Sequence, residues 1–133
     1  MYGADLEKAS GIPAGISRLK LRIQNASGLI LSVNEHNGNP SAFFKNILDW
    51  LSREERSFFA DRPVLLMSAS GGKMGASSSR KVVEQMIPRF GGRVVATFSL
   101  PGFHGNFDPQ SGITEAELAR EHKEALNTFL SDL

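Results

Sequence analysis

The chain has 133 residues, no cysteine, 41% apolar and 22% charged residues, and a formal net charge of +1. That length suits one domain with its own core, so a single unit over residues 1–133 is expected. The composition excludes disulfides and thiolate metal sites, speaks against a nucleic-acid partner, and offers no apolar run long enough to span a membrane.

From the N-terminus, MYGADLEKAS lacks the charged-then-apolar layout of a signal peptide, and a cytoplasmic protein is expected. Ile16, Leu19, Ile23 and Ala26 recur at steps of three and four, which predicts an amphipathic helix over residues 13–25. Gly28 to Val33, GLILSV, is a nearly continuous apolar run, as a strand covered on both faces requires. Six polar or small residues follow, Asn34 to Asn39. Asn39 is the expected N-cap of the next helix, with Pro40 at its first position. Phe43, Phe44, Ile47, Leu48 and Leu51 form its apolar face, with Phe43 and Phe44 read as core. PVLLMSA, residues 63–69, is the second strand. Val82, Val83, Met86, Ile87 and Phe90 mark a third helix, disturbed by Pro88 and stopped near Gly91. RVVATFSL, residues 93–100, is the third strand. Thr114 and Glu117 have the spacing of a capping box, and Leu118, Ala125, Leu126, Phe129, Leu130 and Leu133 form the buried stripe of the last helix.

Strands alternating with helices build an α/β fold with a parallel sheet and right-handed crossovers. Such sheets bind ligands beyond the carboxyl ends of their strands. Here those ends lead into NEHNGNPS, SGGKMGAS and PGFHGNFDPQSG, all rich in glycine or small polar residues. The expected ligand face therefore comprises residues 34–39 and 70–75, with 101–106 at its margin. The second loop is not a P-loop, because no GK[ST] closes it, and its glycine spacing is not G-x-G-x-x-G either. Small residues ahead of a helix N-terminus still offer N–H groups to an anion or to a flavin's carbonyl oxygens. His36, His104 and His122 show no ligand-spaced pair, so no metal is expected, and His122 reads as a packed structural histidine.

Two segments carry a family resemblance. Glu35-His36-Asn37-Gly38-Asn39, followed in register by Phe44, Lys45, Asn46, Asp49 and Trp50, resembles the P-E-Y-N-G-S and L-K-N-x-x-D-W segments of the NADPH-dependent FMN reductases. Ser70, Gly71, Gly72, Lys73 and Gly75 resemble that family's S-x-G-G-x-x-G. The run from Ala96 to Asp108 is similar to one branch of it.

The resemblance implies a three-layer flavodoxin-like fold and an NAD(P)H-dependent flavin reductase or quinone-type oxidoreductase. It implies FMN as cofactor, NAD(P)H as co-substrate, a small-molecule acceptor, and a homodimer or homotetramer. Asn34, Glu35, His36, Asn37, Gly38 and Asn39 would lie along the isoalloxazine ring, largely through backbone. Ser70, Gly71, Gly72, Lys73 and Gly75 would approach its other edge, with Lys73 open to two readings, a phosphate contact or a solvated lysine. The flavin carries the hydride chemistry, so no catalytic side chain is assigned.

Two departures stand out. His36 occupies a position where the family commonly has tyrosine, and the family's G-S-x-R-x-x-S-x-N phosphate loop is nowhere in these residues. Relative to the family, a front βαβ unit of roughly thirty or more residues is expected to be missing. That leaves GLILSV as an exposed edge strand, and makes a non-catalytic flavodoxin-like binding module the alternative reading.

Overall fold

A computed structural model describes residues Met1–Leu133. Its centre is a parallel sheet of three strands in the order β1-β2-β3, with β1 spanning Leu29–Val33, β2 Pro63–Ala69 and β3 Arg93–Leu100. Leu29 to Val33 pair with Val64 to Ser68, and β2 pairs in turn with β3. Strand periodicity sends alternate side chains to opposite faces. Leu29, Leu31 and Val33 therefore join Val64, Leu66 and Val94 on one face, and Ser32, Met67 and Phe98 lie on the other.

The first face carries the main core. Helix α2 (Ala14–Asn25) contributes Ile16, Leu19 and Ile23, and α3 (Ala42–Glu54) contributes Leu48 and Leu51. Helix α4 (Ser77–Met86) and the 3₁₀ turn Ile87–Phe90 add Val83 and Ile87, and Phe58 and Phe59 close the cluster from the loop before β2. The second face is covered by α6 (Ala116–Ser131), which packs on β3 and β2. The result is the three-layer α/β arrangement expected from the alternation of elements. Between α5 (Phe103–Asn106) and α6, a two-residue antiparallel ladder pairs β4 (Phe107–Asp108) with β5 (Gly112–Ile113).

Several local expectations are corrected. Helix α3 starts two residues later than expected. Its N-cap is Ser41, whose hydroxyl accepts the Phe44 N–H at 3.2 Å, because Asn39 and Pro40 belong to a turn and its exit. The last helix is capped by Glu115, whose carboxylate accepts N–H groups from Glu117 and Leu118. Thr114 donates to the Gly105 carbonyl instead, and Glu117 turns to Arg120. Phe43 is not core but 80% exposed, since the helix offset turns it away from the sheet, and Leu130 and Leu133, expected in the buried stripe of the last helix, are exposed as well. An additional helix, α1 (Ala4–Ser10), occupies the N-terminal segment. By contrast, the third helix ends as expected, with Pro88 in the 3₁₀ turn and Gly91 at a left-handed φ of 80°.

Helix α1 buries none of its residues, so packing of its own side chains does not hold it. It is held by a polar knot on α3. The Tyr2 N–H donates to Asn46 Oδ1 at 2.6 Å, the Tyr2 hydroxyl donates to Glu7, and Arg53 donates to the same carboxylate at 2.9 Å. The Tyr2 ring meets buried Trp50 edge-on, with centroids 5.0 Å apart. Asn46 and Trp50 thus serve the fold.

Candidate functional site

The three loops do gather at one end of the sheet. The first leaves β1 at Val33 and the second leaves β2 at Ala69, on paired strands that run the same way. His36, Asn37, Gly38 and Asn39 make a tight turn: His36 N–H donates to the Asn39 carbonyl at 2.8 Å, and Asn39 N–H to the His36 carbonyl at 3.1 Å. Asn37 and Gly38 take φ values of 54° and 78°, the left-handed pair that a type I′ turn needs and that Asn-Gly adopts most readily. The Asn39 side-chain amide donates to the Asn37 carbonyl at 3.1 Å. An Asn-Gly dipeptide is itself a turn signal, and it could have displaced the reading of Asn39 as a helix cap.

The second loop is stitched to the third. Ser70 N–H donates to the Leu100 carbonyl, Phe103 N–H to the Ser70 carbonyl, and Gly102 N–H to the Gly72 carbonyl, at 3.0–3.2 Å. Gly75 sits so close to β3's end that a Cβ there would lie 2.7 Å from the Leu100 carbonyl carbon, and its φ is 56°. Only glycine fits both demands. Its carbonyl accepts the Ser68 hydroxyl at 2.7 Å, and Ser68, Ser99 and Arg80 continue as a chain of hydrogen bonds. His104 lies over Gly71, bringing the expected margin of the ligand face against the second loop.

Asn34 and Glu35 face a different task. The Glu35 carboxylate accepts the Ser79 N–H at 3.0 Å in the first turn of α4, and the Asn34 carbonyl accepts the Ser79 hydroxyl at 2.7 Å. Ser77 and Arg80 N–H groups are bonded within the chain, to Met74 and Ala76 carbonyls. A carboxylate therefore already faces the positive end of α4. That disfavours a phosphate there. Ser79 is fully buried, and sequence reasoning missed it because its partners lie 44 and 45 residues earlier.

On the opposite sheet face lies an open cavity of about 450 Å³, lined by Ser32, Met67, Phe98, Phe103, Ile113 and His122, among others. His122 is half-buried and meets Phe98 edge-on at 5.2 Å, in keeping with a packing histidine. No three His, Asp or Glu side chains come together where they could hold a metal ion.

The sequence model described as NADPH-dependent FMN reductase matches residues 1–105. The chain belongs to the NADPH-dependent FMN reductase family. Among curated proteins it is similar to a quinone reductase of Escherichia coli (strain K12), 30% identical over 117 residues that cover 84% of this chain and 61% of the relative. It is also similar to an NAD(P)H-dependent FMN reductase of Pseudomonas aeruginosa, 28% identical over 87 residues, 65% of this chain and 46% of that one. Among solved structures, the flavoenzyme NAD(P)H:(acceptor) oxidoreductase FerB from Paracoccus denitrificans superposes with a TM-score of 0.75 at 20% identity, covering 98% of this chain and 72% of that one. This likeness confirms the flavodoxin-like fold. The family member described here thus spans about 61% of the length of the quinone reductase it matches.

How well do the residues present fit FMN? The backbone N–H groups of Asn37, Gly38, Gly71 and Lys73 find no acceptor within the chain. A Cβ on Gly38 would meet nothing within 4 Å, and one on Gly72 only the Ser70 hydroxyl at 3.7 Å, so space is open beside both loops. Free donors beside open space on two adjacent loops suit the polar edge of a flat ring. The phosphate finds no counterpart at α4, whose first turn is taken by Glu35. The residues fit the ring and not the phosphate.

Proposed function

We propose that this chain acts as an NAD(P)H-dependent FMN reductase or quinone-type oxidoreductase and supplies the ring-binding side of its flavin site. The reading rests on one observation: two loops at neighbouring strand ends present unpaired backbone donors at Asn37, Gly38, Gly71 and Lys73. FMN, when bound, supplies hydride transfer from NAD(P)H to a small-molecule acceptor. The chain's own residues orient the ring. His36–Asn39 form one wall, and Ser70–Gly75, braced by Gly102 and Phe103, form the other. No side-chain acid or base is assigned to the reaction. Membership of the family favours this reading over a non-catalytic module. The working form is a homodimer or homotetramer, and the compartment is the cytoplasm.

The test is a titration of FMN with the purified chain, alone and extended by the portion of the E. coli relative that lies outside the match. Saturable quenching of flavin fluorescence is expected, with FMN-dependent consumption of NADPH when a quinone is added. Flavin fluorescence that ignores both proteins overturns the proposal.

A further inference from the structure

The geometry points to Glu35 and Ser79 as positioning residues that set the spacing between the two ring-binding loops. This rests on the reading of those loops as the flavin-ring site. The two loops are built as separate units. Residues 36–39 close on themselves through the two turn hydrogen bonds, and residues 70–75 are tied to residues 100–103. Beyond the sheet, the bonds that join the first unit to the second pass through Ser79. Its N–H donates to Glu35 and its hydroxyl donates to the Asn34 carbonyl, so a single buried residue holds two successive residues of the first loop. Ser79 lies in α4, the helix into which the second loop runs through Gly75 and Ala76.

The physics explains why this joint is stiff. A carboxylate accepting a backbone N–H makes a charge-assisted hydrogen bond, stronger than a neutral one. At the start of a helix it is also favoured by the macrodipole. Ser79 has no exposed surface, so breaking either bond would strand a buried polar group. Glu35 immediately precedes His36, the first residue of the turn, so its anchoring determines where Asn37 and Gly38 stand. Asn37 and Gly38 need two left-handed φ angles, and a turn of that kind transmits rather than absorbs a shift at its base. Glu35 therefore acts on a ring through the loop it holds.

Glu35→Ala, Glu35→Gln and Ser79→Ala test the assignment, with two readouts taken on the whole chain. The first is amide hydrogen exchange at Ser79, His36 and Asn39 in the absence of flavin. The second is FMN affinity. Glu35→Ala should speed exchange at all three amides and weaken FMN about tenfold, which is about 1.4 kcal/mol. Glu35→Gln keeps an acceptor oxygen but loses the charge, and should restore part of both. Ser79→Ala should loosen the Asn34 side while sparing the Ser79 N–H. Unchanged exchange at His36 and Asn39 in Glu35→Ala overturns the joint whatever the flavin does. Faster exchange with FMN affinity unaltered overturns the positioning role. Failure of both the unsubstituted chain and its extended form to bind FMN is a separate result: it removes the flavin reading and this role with it, while the exchange data still decide whether the joint exists.

Discussion

At the scale of single residues, the glycines of the second loop do different work, and substitution separates them. Gly75 has a left-handed φ and would place a Cβ 2.7 Å from backbone atoms that cannot move aside. Gly75→Ala is expected to cost about 2 kcal/mol or more in a denaturant melt, because strain and clash act together. Gly72 has open space beside it. Gly72→Val combined with Asn37→Ala should leave the melt within about 1 kcal/mol, since the site is exposed and Asn37→Ala loses only a modest left-handed preference. The same pair should weaken FMN binding by placing bulk where the ring is read to lie. Unchanged FMN affinity in that double variant removes residues 37 and 72 from the site. The loop positions themselves were legible in the sequence because glycine and asparagine announce left-handed turns. The division of labour was not. The partner of the Glu35 carboxylate, Ser79, stands 44 residues away and leaves no trace in the local sequence.

At the scale of elements, each of the three expected strands and four expected helices is present, because apolar periodicity survives whatever the tertiary partners are. Ends were less legible. Ser41 and Glu115 outcompete Asn39 and Thr114 as caps because the preceding turns consume the latter two, and neither turn leaves a periodic trace. Helix α1 was invisible for a related reason: no apolar stripe is needed when Tyr2, Glu7 and Arg53 hold it by hydrogen bonds. That knot has a pH signature. Hydrogen bonds from Arg53, then from Tyr2, hold the Glu7 carboxyl below its ordinary 4.5. A carboxyl depressed in the folded state contributes stability above its ordinary value, and that contribution is lost as pH falls through the folded value. The Tyr2 phenol is shifted the other way, raised above 10.0 chiefly by its bond to Glu7, so its contribution is lost only as pH rises beyond that range. The segment should therefore stay docked from neutrality down to the ordinary glutamate range and release below it. The chain has one tryptophan, and Trp50 touches Tyr2, so its fluorescence reports release directly. An acid transition in Trp50 emission is expected to vanish in Glu7→Gln. A transition of the same size in that variant would show that another group drives it.

At the scale of the whole molecule, β1 is the feature that asks for a partner. It pairs with β2 on one side and with nothing on the other, so its outer backbone groups have no partner strand. Ile30 is 55% exposed, although it stands in the middle of an apolar strand. The cavity bounded by Ser32, Met67 and Phe98 opens on the same sheet face. An apolar edge of this kind invites strand pairing unless charge or a bulge protects it, and β1 carries no charged residue. A second copy can satisfy it most simply by antiparallel pairing about a two-fold axis, the commonest closed symmetry. The chain is therefore expected to sediment at micromolar concentration as a species of at least twice its 14.5 kDa mass. Ile30→Lys should release monomers, because a lysine on an edge strand opposes pairing, and the side chain it replaces is already half in solvent. That substitution leaves Leu29, Leu31 and Val33 on the core face, so the released monomer should stay folded. A stable 14.5 kDa monomer from the unsubstituted chain would mean that this edge is satisfied without a second copy. An assembly that survives Ile30→Lys intact would place the contact elsewhere, with exposed Phe43 and Ile47, one turn apart on α3, as the next surface to probe by charge substitution.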